Sequence, residues 1–115
     1  MKFTDTLKQN HEFHRLYSRG RSAVTPCLVL YARHTKREKN RIGFTVSTKL
    51  GHAVVRNRIR RRLREIYRLH EAAFVPGTEL VVVARTRAVT ASYQQLERAM
   101  LSACKTLGVL REDTP

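Results

Sequence analysis

Six of the nine residues from Arg56 to Arg64 are arginine: Arg56, Arg58, Arg60, Arg61, Arg62 and Arg64. Arg68 follows one turn later, and Glu65 is the one acid in that stretch. A guanidinium forks onto phosphate oxygens and stacks on bases, which a lysine ammonium does less well. Arg56-Asn57-Arg58 adds an amide that both donates and accepts, set between two cations. Phosphate clamps beside one polar group suit structured RNA, where a sugar or base edge must be met as well as the backbone. Gly51 and His52 precede this element, which places its amides near a helix start, where the dipole favours phosphate. The bland alternative is a core helix with an incidentally basic outside; the density of arginine argues against it.

A second constellation is aromatic. Unpaired bases stack on aromatic faces, and Phe13, Tyr17 and Tyr31 could present them from a helix and a neighbouring strand. Aromatics at helical spacing also build cores, and one ring can do both with different atoms. His11 and His14 stand three apart with no third ligand near, so solvated histidines are the expectation rather than a metal pair. No GxSxG, HExxH, P-loop or GxGxxG occurs. The nine acids are scattered, whereas metal-ion nucleases cluster their carboxylates. The chain is expected to carry no catalytic residues and no metal site of its own.

These residues need elements to hold them. Phe13, Leu16 and Tyr17 share a face of a helix over residues 10–18, with Asn10 as its cap and Gly20 as its stop. A short strand, a break at Pro26 and a strand over 28–33 follow. Residues 35–40 read as a polar turn, and 41–47 alternates, with Ile42, Phe44 and Val46 on one side. These two strands are expected to form an antiparallel hairpin. The basic helix spans about 53–70, with a stripe of Val55, Ile59, Leu63 and Ile66. The Arg56–Arg60–Arg64 row extends about 12 Å along it. Pro76-Gly77 marks a turn, and Leu80 to Ala84 is a β-branched run suited to a strand buried on both faces. A last helix over 91–107 has Thr90 or Ser92 as cap, Ser92 and Gln95 as a capping box, and Leu96, Met100, Ala103 and Leu107 as its stripe. The fold class is α+β: a small mixed sheet packed with three helices in the order α-β-β-β-α-β-α, with a parallel pair around residues 41–85.

The 115 residues fit one domain, 1–115, with a core over about 3–108 and a frayed tail at 109–115. There are 17 Arg and 6 Lys against 9 Asp+Glu, a net charge of +14. So much charge on a small body repels itself unless a polyanion neutralises it. Nucleic acid is the first candidate, an anionic membrane the second, and a merely soluble surface the third; a soluble surface would mix the signs more evenly. No stretch approaches the ~18 apolar residues that span a bilayer. Met1 to Asp5 leads into no apolar run, which speaks against a secretory leader. Cys27 and Cys104 lie far apart without metal-finger spacing, so two reduced thiols and a cytoplasmic location are expected.

The stretch from Arg41 to Tyr67, above all Ala53-Val-Val-Arg-Asn-Arg-Ile-Arg-Arg61, resembles the signature of the bacterial ribonuclease P protein subunit. Leu7-x-x-Asn10-x-x-Phe13-x-x-x-Tyr17-x-x-Gly20, Leu28 to Tyr31 and Gly77 to Arg85 are similar too, so the likeness runs over about 3–108. The resemblance implies a small basic cofactor of a catalytic RNA that cleaves precursor tRNA with Mg²⁺ and removes its 5′ leader. Arg56, Asn57, Arg58, Arg60, Arg61 and Arg64 would face the catalytic RNA, with Lys49 close by. Phe13, Tyr17 and Tyr31 would line the cleft for the leader. It also implies a left-handed strand–helix–strand crossover against the general right-handed rule, Mg²⁺ held mainly by the RNA, and no obligate protein partner. Thr48 stands where lysine is common in the family, and Tyr17 where Phe is frequent. The rival readings are a general RNA-binding or ribosomal protein and a self-sufficient nuclease.

Overall fold

A seven-residue run buried on both faces, Thr78–Ala84, takes the centre of the sheet. The computed structural model describes residues 4–111. In chain order its elements are β1 (Thr4–Thr6), α1 (Asn10–Arg19), β2 (Arg21–Val24), β3 (Leu28–His34), β4 (Asn40–Thr45), α2 (Ala53–His70), β5 (Thr78–Ala84) and α3 (Tyr93–Leu107). Single 3-10 turns lie at Thr48–Leu50, Glu71–Ala73 and Thr86–Val89. The sheet order is β1-β4-β5-β3-β2. β5 runs parallel to β4, as expected for the unit around α2, and antiparallel to β3.

The expected hairpin of β3 with β4 does not form: β5 sits between them. The reason lies in the connection. Residues 35–39 arch across the start of β5, where the Thr35 N–H and hydroxyl both donate to the Gly77 carbonyl, at 2.8 and 2.9 Å. Gly77 adopts φ +82°, and a Cβ there would lie 2.5 Å from the Thr35 carbonyl oxygen and 2.6 Å from that of Arg37. A long apolar strand gains more by burial at the sheet centre than two neighbours gain by pairing with each other.

Three further expectations are corrected. The sequence pattern gives no sign of β1, because Thr4-Asp5-Thr6 carries no apolar alternation. It is parallel to β4 and anchored by Thr4, whose hydroxyl donates to the Glu71 carboxylate (2.6 Å) and shares a hydrogen bond with the buried Tyr67 phenol (2.7 Å). Gln9 rather than Asn10 caps α1, since the Glu12 carboxylate turns back to accept the Gln9 N–H at 3.1 Å. Residues 109–111 are not frayed. Gly108, at φ +70°, reverses the chain so that Val109 is buried and its carbonyl accepts from Val75 N–H at 2.8 Å. Residues 112–115 of the expected tail lie outside the described residues.

The sheet is covered unequally. On one face Leu28, Leu30, Ile42, Leu80 and Val82 pack against Ile59, Leu63 and Ile66 of α2 and Leu96, Met100 and Leu107 of α3. Among the described residues the other face carries only the ten-residue α1, whose Leu16 is fully buried near Val81 and Leu7. Phe13, Tyr31 and Val83 are half-buried at the edge of that cluster. One short helix cannot cover five strands, so part of this face stays open beside it.

Candidate nucleic-acid interface

α2 buries Ile59, Leu63, Ile66 and Tyr67, with Val55 partly covered. At about 100° per residue, this stripe divides the arginines into sets. Arg58 and Arg62 lie on the flank nearest α3. The Arg58 Nη2 donates to the Val89 carbonyl (3.3 Å) and the Arg62 Nη1 to the Ala91 carbonyl (3.4 Å). Both are half-buried, and Arg58 Nε is buried without a partner. Asn57, Arg61, Arg64 and Arg68 stand exposed on the outer face. Arg56 and Arg60 lie on the flank towards α1; Arg56 Nε donates to the Gly51 carbonyl at 3.2 Å and Arg60 Nη1 to Asn57 Oδ1 at 3.1 Å. The last bond fixes the Asn57 amide beside a cation. Glu65 makes a two-point contact with Arg68, at 2.6 and 3.0 Å. Hydrogen bonding from Arg68 holds the Glu65 carboxyl below its ordinary range. The acid therefore offsets one arginine at the far end of the helix and leaves the run from Arg56 to Arg64 uncompensated.

The aromatic residues meet as the sequence predicts. Tyr17 and Tyr31 pack edge to face with ring centroids 5.0 Å apart, and the Tyr17 hydroxyl shares a hydrogen bond with Thr45 Oγ1 at 3.1 Å. Tyr17 is 37% exposed. Phe13 packs onto Gly43, where a Cβ would come within 2.6 Å of its ring. Phe13 and Tyr31 both pack against the Leu7, Leu16 and Val81 cluster; Phe13 also lines the cleft beside α1, whereas Tyr31 stands behind Tyr17 and does not line it.

α1 is held at this distance by charge as well as by Leu16. Arg41 pairs with Glu12 on α1 and, at 3.5 Å, with Glu79 on β5; Arg33 reaches Glu79 at 3.6 Å. Glu79 is buried, so two guanidiniums compensate a carboxylate that would otherwise be costly there. Sequence reasoning misses this network, whose members are far apart along the chain; the one local signal is Glu12 three residues after Gln9.

The two constellations converge. A cleft of about 350 Å³ lies between α1 and α2 and is lined by Asn10, Phe13, His14, Tyr17, Thr45 and Arg60 among others. Arg60 belongs to both surfaces. Lys49 is exposed in the turn before α2 but lines a different cleft, with Arg85 and Arg87. His14 packs edge-on to Tyr17 at 6.4 Å, and His11 is exposed. Both cysteines are free and buried; burial pushes the Cys104 thiol up to about 12. Among the described residues no three His, Cys, Asp or Glu side chains converge as metal ligands, and no helix is long and apolar enough to cross a membrane.

Sheet, helix order and basic face define the class, the mixed α+β proteins of the RNase P protein fold. The Staphylococcus aureus RNase P protein superposes with a TM-score of 0.85 at 31% identity, over 92% of this chain and 97% of that one. A Thermotoga maritima RNase P protein shares the fold, with a TM-score of 0.77 at 24% identity over 85% and 93% of the two chains. The chain belongs to the Ribonuclease P family, whose model matches residues 1–108. The ribonuclease P protein component of Alkaliphilus metalliredigens is 36% identical over 110 residues, covering 96% of this chain and 99% of the relative. That of Finegoldia magna is 38% identical over 99 residues, 86% of this chain and 87% of the relative. Membership makes the chain the protein component of a ribonucleoprotein enzyme and the RNase P RNA its partner.

Proposed function

We propose that the outer face of α2 seats this chain on the catalytic RNA while the cleft between α1 and the sheet holds the 5′ leader of precursor tRNA, in the cytoplasm. The observation that carries this reading is the convergence at Arg60, where a cationic helix adjoins an aromatic cleft of about 350 Å³. Asn57, Arg61 and Arg64, with Arg56 and Arg60 beside them, would take phosphates of the ribozyme; Arg58 would present only what its bond to Val89 leaves free. Tyr17 and Tyr31 would take unpaired leader bases, and Phe13 would support them from below.

The chain's own part is binding and charge compensation. Catalytic RNA and substrate are both polyanions, and guanidiniums at their junction lower the repulsion between them. Mg²⁺ held mainly by the RNA would supply activation of water and stabilisation of the leaving oxygen. Interactions with the leader exist in the precursor and vanish in the product, so they favour the unprocessed state. The test is Tyr31→Ala in the assembled enzyme. Loss of stacking is expected to weaken leader-bearing tRNA by about 1–3 kcal/mol and to leave mature tRNA unchanged. Equal weakening of both contradicts a leader cleft.

A further inference from the structure

A second basic groove lies apart from the residues used above. A cavity of about 800 Å³ runs between the Thr25-Pro26 turn after β2 and the exposed flank of α3. Arg87 and Arg98 stand on its rim with Thr90, Gln95 and Ser102. Gln95, Arg98 and Ser102 follow at steps of three and four, so they share one helix face over about 10 Å. A smaller cleft of about 360 Å³ adjoins it, since Pro26 and Arg87 line both, and it brings in Lys49 and Arg85.

Three observations identify the occupant. First, neither lining contains a carboxylate, although four cations gather there. Arg87 and Arg98 are exposed, and the ion pairs among the described residues lie elsewhere. A polyanion is the complement of such a rim. Second, neither lining contains an aromatic ring, unlike the cleft beside α1. Around a floor of Val24, Pro26, Cys27, Ala91 and Ala99, the groove offers guanidiniums, hydroxyls and an amide, the groups that meet phosphates and 2′-hydroxyls, and no ring on which bases stack. Third, Lys49 lies four residues before α2 begins, so the track starts where the proposed ribozyme seat starts.

We propose that this groove is a second binding track for the backbone of the catalytic RNA, running from Lys49 past Pro26 and Arg87 to Arg98 on α3. The choice of that RNA rests on the reading of α2 given above. The protein would then hold two separate stretches of ribozyme backbone, on α2 and across α3, with the leader cleft beside α1 at the end of β4.

The full-length chain carrying Arg87→Gln and Arg98→Gln is titrated with the catalytic RNA across a range of salt. Each phosphate left without its cation lowers the log–log slope by about 0.7–0.9, so the double variant is expected to show a slope smaller by about 1.4–1.8. The Arg87→Lys, Arg98→Lys double variant is expected to keep the slope, and the ratio of precursor to mature tRNA binding is expected not to move in either. Arg61→Gln with Arg64→Gln is measured alongside. A slope unchanged in the Arg87/Arg98 pair but lowered in the Arg61/Arg64 pair overturns the track and leaves the α2 seat standing. Unchanged slopes in both pairs overturn both. Weakening seen with precursor tRNA alone and not with the ribozyme also overturns the proposal. So does an unchanged slope with loss of binding to a poly-glutamate peptide, which would make the groove a protein-docking site.

Discussion

Gly43 decides where an aromatic ring can sit. Without a side chain it lets Phe13 lie against β4, and a Cβ would meet the ring at 2.6 Å. Gly43→Ala is expected to cost about 1–3 kcal/mol through overpacking, seen as a lower melting temperature. It should also weaken leader-bearing tRNA while leaving the salt slope for the catalytic RNA unchanged, because α2 is untouched. Cys104 gives a pH signature. Its thiol is raised from 9.0 to about 12 by burial, so the fold favours the protonated form. That contribution is complete below pH 9 and is lost as the pH climbs towards 12. Denaturant melts should therefore show the wild type losing stability relative to Cys104→Ala over that range; a constant difference contradicts it. At this scale the sequence shows Phe13 and Tyr17 readily, because helical spacing puts them on one face. It cannot show Arg41 meeting Glu12 and Glu79, since charged side chains carry no periodic signal and these are brought together only by the sheet.

α2 is the element in which sequence and structure agree best. Its bounds and buried stripe follow from period alone, and only Tyr67 escapes that reading. What period cannot give is the division of labour among its arginines. Arg56 and Arg60 stand beside the exposed Asn57, Arg61 and Arg64, so Arg56→Ala with Arg60→Ala is expected to lower the salt slope of ribozyme binding by about 0.7–0.9 for each phosphate no longer neutralised. Arg62 instead holds the Ala91 carbonyl. Arg62→Ala is expected to cost about 0.5–1.5 kcal/mol of stability, measured by urea melt, with little change in slope. Ser92 caps α3 as expected, its hydroxyl accepting from Gln95 N–H at 3.1 Å while the Gln95 side chain accepts from Ser92 N–H at 2.8 Å. The hairpin expectation fails because strand pairing between distant segments leaves little local trace. A polar connection between two strands reads alike whether it turns a hairpin or arches over a third strand. β1 goes unseen because three residues at a sheet edge are too few to alternate.

At the scale of the whole molecule, +14 on 115 residues is the constant that every face must accommodate. The charge is spread over the α2 face, the cleft at Arg60 and the groove at Arg87 and Arg98. Anions that bind the native surface should stabilise it. The melting temperature is expected to rise more with sodium sulfate than with sodium chloride at equal ionic strength; equal rises would show screening alone. The central claim is that the chain supplies a cationic seat and a leader cleft while cleavage belongs to its RNA partner. The most direct measurement is cleavage of precursor tRNA at limiting Mg²⁺ by the catalytic RNA alone, by this protein alone and by the two together. Cleavage by the pair is expected to stand well above that by the RNA alone, with none by the protein alone. Cleavage by the isolated protein, or no gain on adding it to the RNA, would contradict the claim.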